Sequence, residues 1–136
     1  MRRVDWSDER GSASVLVAVL AVAFLMVAGL ALDGGRKLGA LSEARDLADN
    51  AARAGAQAVD TDVYQLTGSP SLDPTEAQQA ALDYLAATGH TGTVAVNGST
   101  VTVTVTLSVP TRFLPGPFTV YATESATAIF SVEGTP

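Results

Sequence analysis

Residues 11–32 read GSASVLVAVLAVAFLMVAGLAL, an unbroken run without a charge, closed by Arg10 on one side and Asp33 on the other. About 20 apolar residues in a helix cross the hydrocarbon core of a bilayer, so the run is long enough to span. A core helix of a soluble domain is the poorer account, because so long a stretch would carry some charge on its wet face. A cleaved secretory signal has the basic start it needs in Arg2 and Arg3, and a small-x-small site in Gly29-Leu30-Ala31. Its apolar region, however, covers only about 7–15 residues, and the sequence here stays helical afterwards. A retained transmembrane helix over 12–32 is therefore expected. Orientation follows Lys and Arg near the ends. Arg2, Arg3 and Arg10 favour a cytoplasmic tail over 1–11, with Arg36 and Lys37 weighing against it. The C-terminal part would then lie outside the membrane, at the cell surface or near it.

Beyond Asp33-Gly34-Gly35 the pattern remains helical to residue 59 and is rich in alanine, the strongest helix former. Leu41, Ala44, Ala48, Ala51, Gly55 and Ala58 recur at spacings of three and four, which places them on one helix face. Small residues there let two backbones approach closely. The stripe fits either an amphipathic helix packed on its own domain or a helix packing with copies and relatives of itself. The Gly34-Gly35 pair costs about 1 kcal/mol per residue relative to Ala, so a kink or short break is expected at the membrane surface.

The segment from Arg10-Gly11-Ser12 through the apolar run, Asp33-Gly34-Gly35-Arg36 and the alanine-rich 47–56 resembles the N-terminal module of TadE/TadG-like proteins. These are minor pilins or pseudopilins of the tight-adherence (Flp) pilus system. The resemblance covers roughly residues 10–59. It implies a type IV-pilin-like architecture, other pilin or pilus-assembly subunits as partners through helix–helix packing, and membrane lipid around the span. It also implies a prepilin-type peptidase acting between Gly11 and Ser12. The fifth residue after that cut is Leu16, where leader-bearing members carry a Glu that neutralises a neighbour's terminal amine.

Composition bounds the remaining chemistry. The chain has 136 residues, no Cys and one His, His90. Thiolate metal sites, disulfides and multi-His metal sites are therefore ruled out. The net charge of −6 falls wholly in residues 54–136, where Arg112 stands alone among acids. An acidic half repels phosphate backbones, so nucleic acid is not an expected partner. No phosphate-binding glycine loop, paired base and nucleophile, or cofactor motif is legible. A non-enzymatic protein without cofactors is expected.

Residues 60–73 read as a loop from their Gly, Pro, Ser and Asp content, with Asp60 and Asp62 as solvated acids. Asp73-Pro74-Thr75-Glu76 is a helix start, with an N-cap acid, Pro at the first position and Glu at the third. That helix runs to Thr88, with Gly89 as its C-terminal cap and His90 as a helix-end residue. From Thr91 the period becomes two. Val94 and Val96, then Val101, Val103, Val105 and Leu107, alternate with threonines around Asn97-Gly98, a hairpin signal in which both turn residues would take positive φ. A last strand is expected over 119–132. Between the strands, Phe113, Leu114 and Phe118 form an apolar loop that marks a partner surface unless the two rings tuck into the core, the simpler outcome.

The valine face needs an apolar cover, and the two helices are the available ones. The expectation is an α+β fold. A long N-terminal membrane-spanning helix, extended by an alanine-rich amphipathic helix over 33–59, packs with a second short helix on a small antiparallel β-sheet, and residues 60–136 form a small extracytoplasmic α+β domain. The function expected is a structural pilus subunit; the alternative is a membrane-anchored or secreted binding domain that never enters a filament.

Overall fold

A computed structural model describes residues 7–58, 60–68 and 71–128. Helix α1 runs over Ser7–Ala56, 50 residues without interruption, about 75 Å at 1.5 Å per residue. The break expected at Gly34-Gly35 is absent. Strong helix formers flank the pair on both sides, and losing the hydrogen bonds of a broken turn would cost more than the two glycines do. The helix ends at Ala56, short of the Val59 expected, because the Gln57 and Ala58 N–H groups donate three residues back, to Ala54 and Gly55, and so tighten the chain into a turn.

Two short helices follow. Helix α2 spans Thr61–Thr67, inside the stretch expected to be a loop. Its caps explain the difference: the Asp60 carboxylate accepts from the Asp62 and Val63 N–H groups, and Gly68 closes the other end at φ 67. Two residues counted as loop formers are the two ends of a helix. Helix α3 spans Pro74–Ala87, where Asp73 accepts from the Thr75 and Glu76 N–H groups. At its C-terminus the Gly89 N–H donates to the Ala86 carbonyl and the His90 N–H to the Leu85 carbonyl. Gly89 sits at φ 77, which completes a Schellman motif.

The sheet holds β1 (Gly92–Asn97), β2 (Thr100–Val109) and β3 (Phe118–Thr127), antiparallel and in that order. The first hairpin forms as expected but turns one residue later. Asn97 pairs with Thr100, so the turn is Gly98-Ser99 with Gly98 at φ 59. Among the described residues only glycines have positive φ, so the turn uses one left-handed residue instead of the two expected. Strand β3 ends at Thr127, and the continuation expected to 132 lies outside the described residues.

The inner face of the sheet carries Val101, Val103 and Val105, each fully buried. Full burial of such a side chain is worth about 1.5–3 kcal/mol. The outer face is hydroxylic: Thr102 bonds Ser125 at 2.8 Å and Thr104 bonds Thr123 at 2.8 Å. Helix α1 covers β2 and β3 while α3 covers β1 and packs on α1. The α+β architecture read from the pattern is the one observed.

Candidate functional site at the helix–head junction

The stripe of small residues faces inward. Ala44, Ala48 and Ala51 are fully buried in the core shared with α3 and the sheet. Gly55 is buried as well, and Leu41 and Ala58 are half-buried. A Cβ on Gly55 would lie 2.7 Å from the Ala77 carbonyl oxygen and 3.0 Å from Val101. The close backbone approach that small residues permit is therefore used within the protein, between α1 and its own head. Gly11 and Ser12 sit on the continuous helix α1 and are exposed.

Further along α1 the surface inverts. Leu16 (60%), Phe24 (72%) and Met26 (70%) are exposed, and α1 is long and apolar enough to cross a membrane. Where this exposed stretch ends, the head folds back onto it.

Asp33 marks the place. It closes the apolar run, yet its side chain is 1% exposed, the one charged group among the described residues that is buried. Its carboxylate takes three backbone N–H donors from the β2–β3 loop: Arg112 at 3.2 Å, Phe113 at 2.9 Å and Leu114 at 3.1 Å. Burial raises its pKa, but the three N–H bonds and the charge of Arg36 together outweigh this, and the net pKa lies below the ordinary value. The carboxylate stays ionised and pins a loop some 80 residues away to the helix.

Gly29 lies one turn below. A Cβ there would meet the Phe113 ring at 2.7 Å, so the missing side chain is what lets the ring lie against α1. Phe113 does not tuck into the core: it is 62% exposed, while Leu114 and Phe118 are half-buried. The reason is the Asp33 clamp, which draws the loop down along α1, away from the sheet. On the other side of Asp33, the Lys37 ammonium stands 5.1 Å from the centroid of the Phe118 ring, a cation–π distance. His90 caps α3 and approaches Glu43 of α1 at 3.8 Å.

Asp33 received no role from the sequence alone. Its signal was its position: a lone acid at the edge of an uncharged run must be solvated or supplied with donors. The donors, however, come from a loop with no local link to it.

Together these features define a class: a single long helix, apolar and exposed over its first half, carrying a small α+β head clamped to it where the apolar stretch ends. Residues 11–58 match the family described as putative Flp pilus-assembly TadE/G-like. The match covers roughly a third of the chain, taking in the apolar run, Asp33 and the buried stripe, and it stops before the sheet. It supports involvement in tight-adherence pilus assembly, alongside other components of that system. Neither curated proteins nor solved structures gave a match.

Proposed function

We propose that the protein is a structural, non-catalytic subunit of a tight-adherence pilus assembly system, of the minor-pilin or pseudopilin kind. The observation that carries this reading is the family match over 11–58, which takes in the stretch of α1 whose large apolar side chains lie uncovered. Residues 12–32 cross the membrane with 1–11 in the cytoplasm, and the alanine-rich 33–59 and the head over 60–136 lie outside. Because the stripe at Ala44, Ala48 and Ala51 is occupied by the head, contacts with other subunits run through Leu16, Val19 and Phe24. These side chains lie in lipid before assembly and against neighbouring helices after it.

The chain contains no cysteine, so a single Cys introduced at Leu16 or Phe24 is a clean reporter. Labelled there with a benzophenone maleimide and illuminated in native membranes, it should link to another pilus subunit, and intact mass should show whether the mature chain begins at Ser12. A chain that is uncut, with no cross-links from either position, would leave only an anchored accessory domain.

A further inference from the structure

The β2–β3 loop sits at the wrong height for an ordinary surface loop. Its Phe113 ring lies over Gly29, three residues inside the last uncharged position, Leu32, or about 5 Å toward the bilayer centre at 1.5 Å per residue. With Leu114 it forms one wall of a groove of about 460 Å³ whose other wall is Val22, Leu25, Met26 and Leu30 of the span itself. Whatever surrounds the span therefore also fills this groove.

The loop's backbone suits such a setting. Unpaired N–H and C=O groups are costly where water is scarce. Over 110–117 three residues are prolines and have no N–H, and three further N–H groups donate to Asp33. The Thr111 hydroxyl reaches the carbonyl oxygens of Leu114 at 2.7 Å and Gly116 at 2.6 Å, sharing its one hydrogen between them. Charge points the same way. Arg112 is the single basic residue after Arg53, and it shares a second groove, just above the first, with Arg36 of α1. Glu43 borders that groove at its far end from the span, while the nearer acid, Asp33, is already occupied by its N–H donors.

We propose that this loop is an interfacial membrane anchor that seats an anionic phospholipid against α1. The acyl chain lies in the groove beside Phe113, and the phosphate lies between Arg36 and Arg112. The proposal rests on residues 12–32 spanning a bilayer, and its test separates the two.

In full-length protein carrying Trp6→Phe, single tryptophans are placed by Phe24→Trp in the span, Phe113→Trp in the loop and Tyr121→Trp on the outer sheet face. Leu114→Trp serves as a second loop position. Each protein is reconstituted in vesicles whose acyl chains carry bromine, which quenches tryptophan on contact. Quenching at 24, 113 and 114 but not at 121 is expected. Quenching at 24 with neither loop position quenched overturns the anchor while leaving the span intact; no quenching at 24 overturns both. An unquenched, blue-shifted tryptophan at 113 that shifts red on dilution into lipid would assign the groove to a second copy of the chain, and also overturn the proposal.

With bromine placed only on phosphatidylglycerol or only on phosphatidylcholine, at fixed overall composition, the anionic lipid should be enriched at the loop by about fivefold per engaged cation. Arg36→Gln with Arg112→Gln should abolish that preference but keep the quenching. Equal quenching by the two lipids in the unsubstituted loop would overturn the headgroup assignment.

Discussion

Helix α1 passes through two environments on opposite terms. Between residues 15 and 32 its large side chains stand free: Leu16, Phe24, Met26 and Leu32 are 60–72% exposed. Between 44 and 52 the helix is covered, and what is covered is mostly alanine, with Ala44, Ala48, Ala51 and Ala52 all at 0%. A water-soluble helix buries its large residues and leaves small or polar ones outside. Here the covered stretch is small because a sheet and a second helix must approach its backbone closely. The uncovered stretch is large and apolar, as befits a helix able to cross a membrane. One helix thus obeys two sets of rules, and the Asp33 clamp is where they meet.

The strongest way to break this comparison is the same truncation made on both sides of the clamp. Leu47 is 9% exposed and belongs to the core, whereas Leu25 is 70% exposed. Leu47→Ala should lower the stability of the head by about 3 kcal/mol. Leu25→Ala should leave it unchanged within about 0.5 kcal/mol. Urea titration of the full-length protein in detergent, with the slope unchanged, reads both; equal losses would mean that the helix unfolds as one unit.

Enlargement is the complementary test. A stripe that packed against other subunits would let Leu at positions 48 and 51 disturb assembly while leaving the monomer folded. The structure reverses that expectation, because both alanines lie in the monomer's own core. Ala48→Leu should overpack it and cost about 2 kcal/mol, whereas Ala18→Leu, on the exposed stretch, should cost nothing measurable in the same titration.

How far the sequence could carry the reading is visible in these residues. The helical character of both halves of α1, the start of α3 at Asp73-Pro74 and the valine face of β2 all rest on local rules and were legible, whereas the continuity of α1 through Gly34-Gly35 was not. The two-residue turn was displaced by one because Asn97 satisfies strand pairing with Thr100, which no local preference states. Helix α2 was missed because Asp60 and Gly68 carry the same composition whether they cap a helix or line a loop. The stripe was legible as a close-packing surface but not as to whose backbone it meets, since that depends on where the sheet folds back. The contact between Asp33 and residues 112–114 was illegible for the same reason. It is a long-range contact, and nothing at either end announces the other.

The clamp itself should respond to pH with a definite sign. The folded-state pKa of Asp33 is lowered, so the group binds fewer protons in the folded than in the unfolded chain. Its contribution is present above the ordinary carboxylate range and is lost as pH falls through its depressed folded value. Hydrogen exchange at the Arg112, Phe113 and Leu114 amides should therefore accelerate under acid, beyond the intrinsic change, before the amides of β2 do. Asp33→Asn should produce the same loss of protection at neutral pH, because a neutral amide offers one weaker acceptor oxygen to three donors. Protection unaltered in Asp33→Asn would show that the loop is held by Phe113 on Gly29 instead.

The finest test is a single kind of substitution with two signs. A Cβ on Gly34, Gly35 or Gly39 meets nothing within 4 Å, so alanine there removes only the conformational freedom of glycine and should stabilise the helix by about 1 kcal/mol. At Gly55 the same Cβ falls 2.7 Å from the Ala77 carbonyl oxygen, an atom that cannot swing aside as the end of a side chain would. The strain of moving α3, on the order of 1–3 kcal/mol, exceeds the propensity gain, and Gly55→Ala should destabilise the head. Opposite shifts in the urea midpoint for Gly35→Ala and Gly55→Ala, 20 residues apart on one helix, would separate the part of the helix that the head leaves open from the part it covers. Shifts of the same sign would mean that the close crossing of α1 and α3 is soft enough to absorb a methyl group, and that the small-residue stripe is set by something other than the approach of its own head.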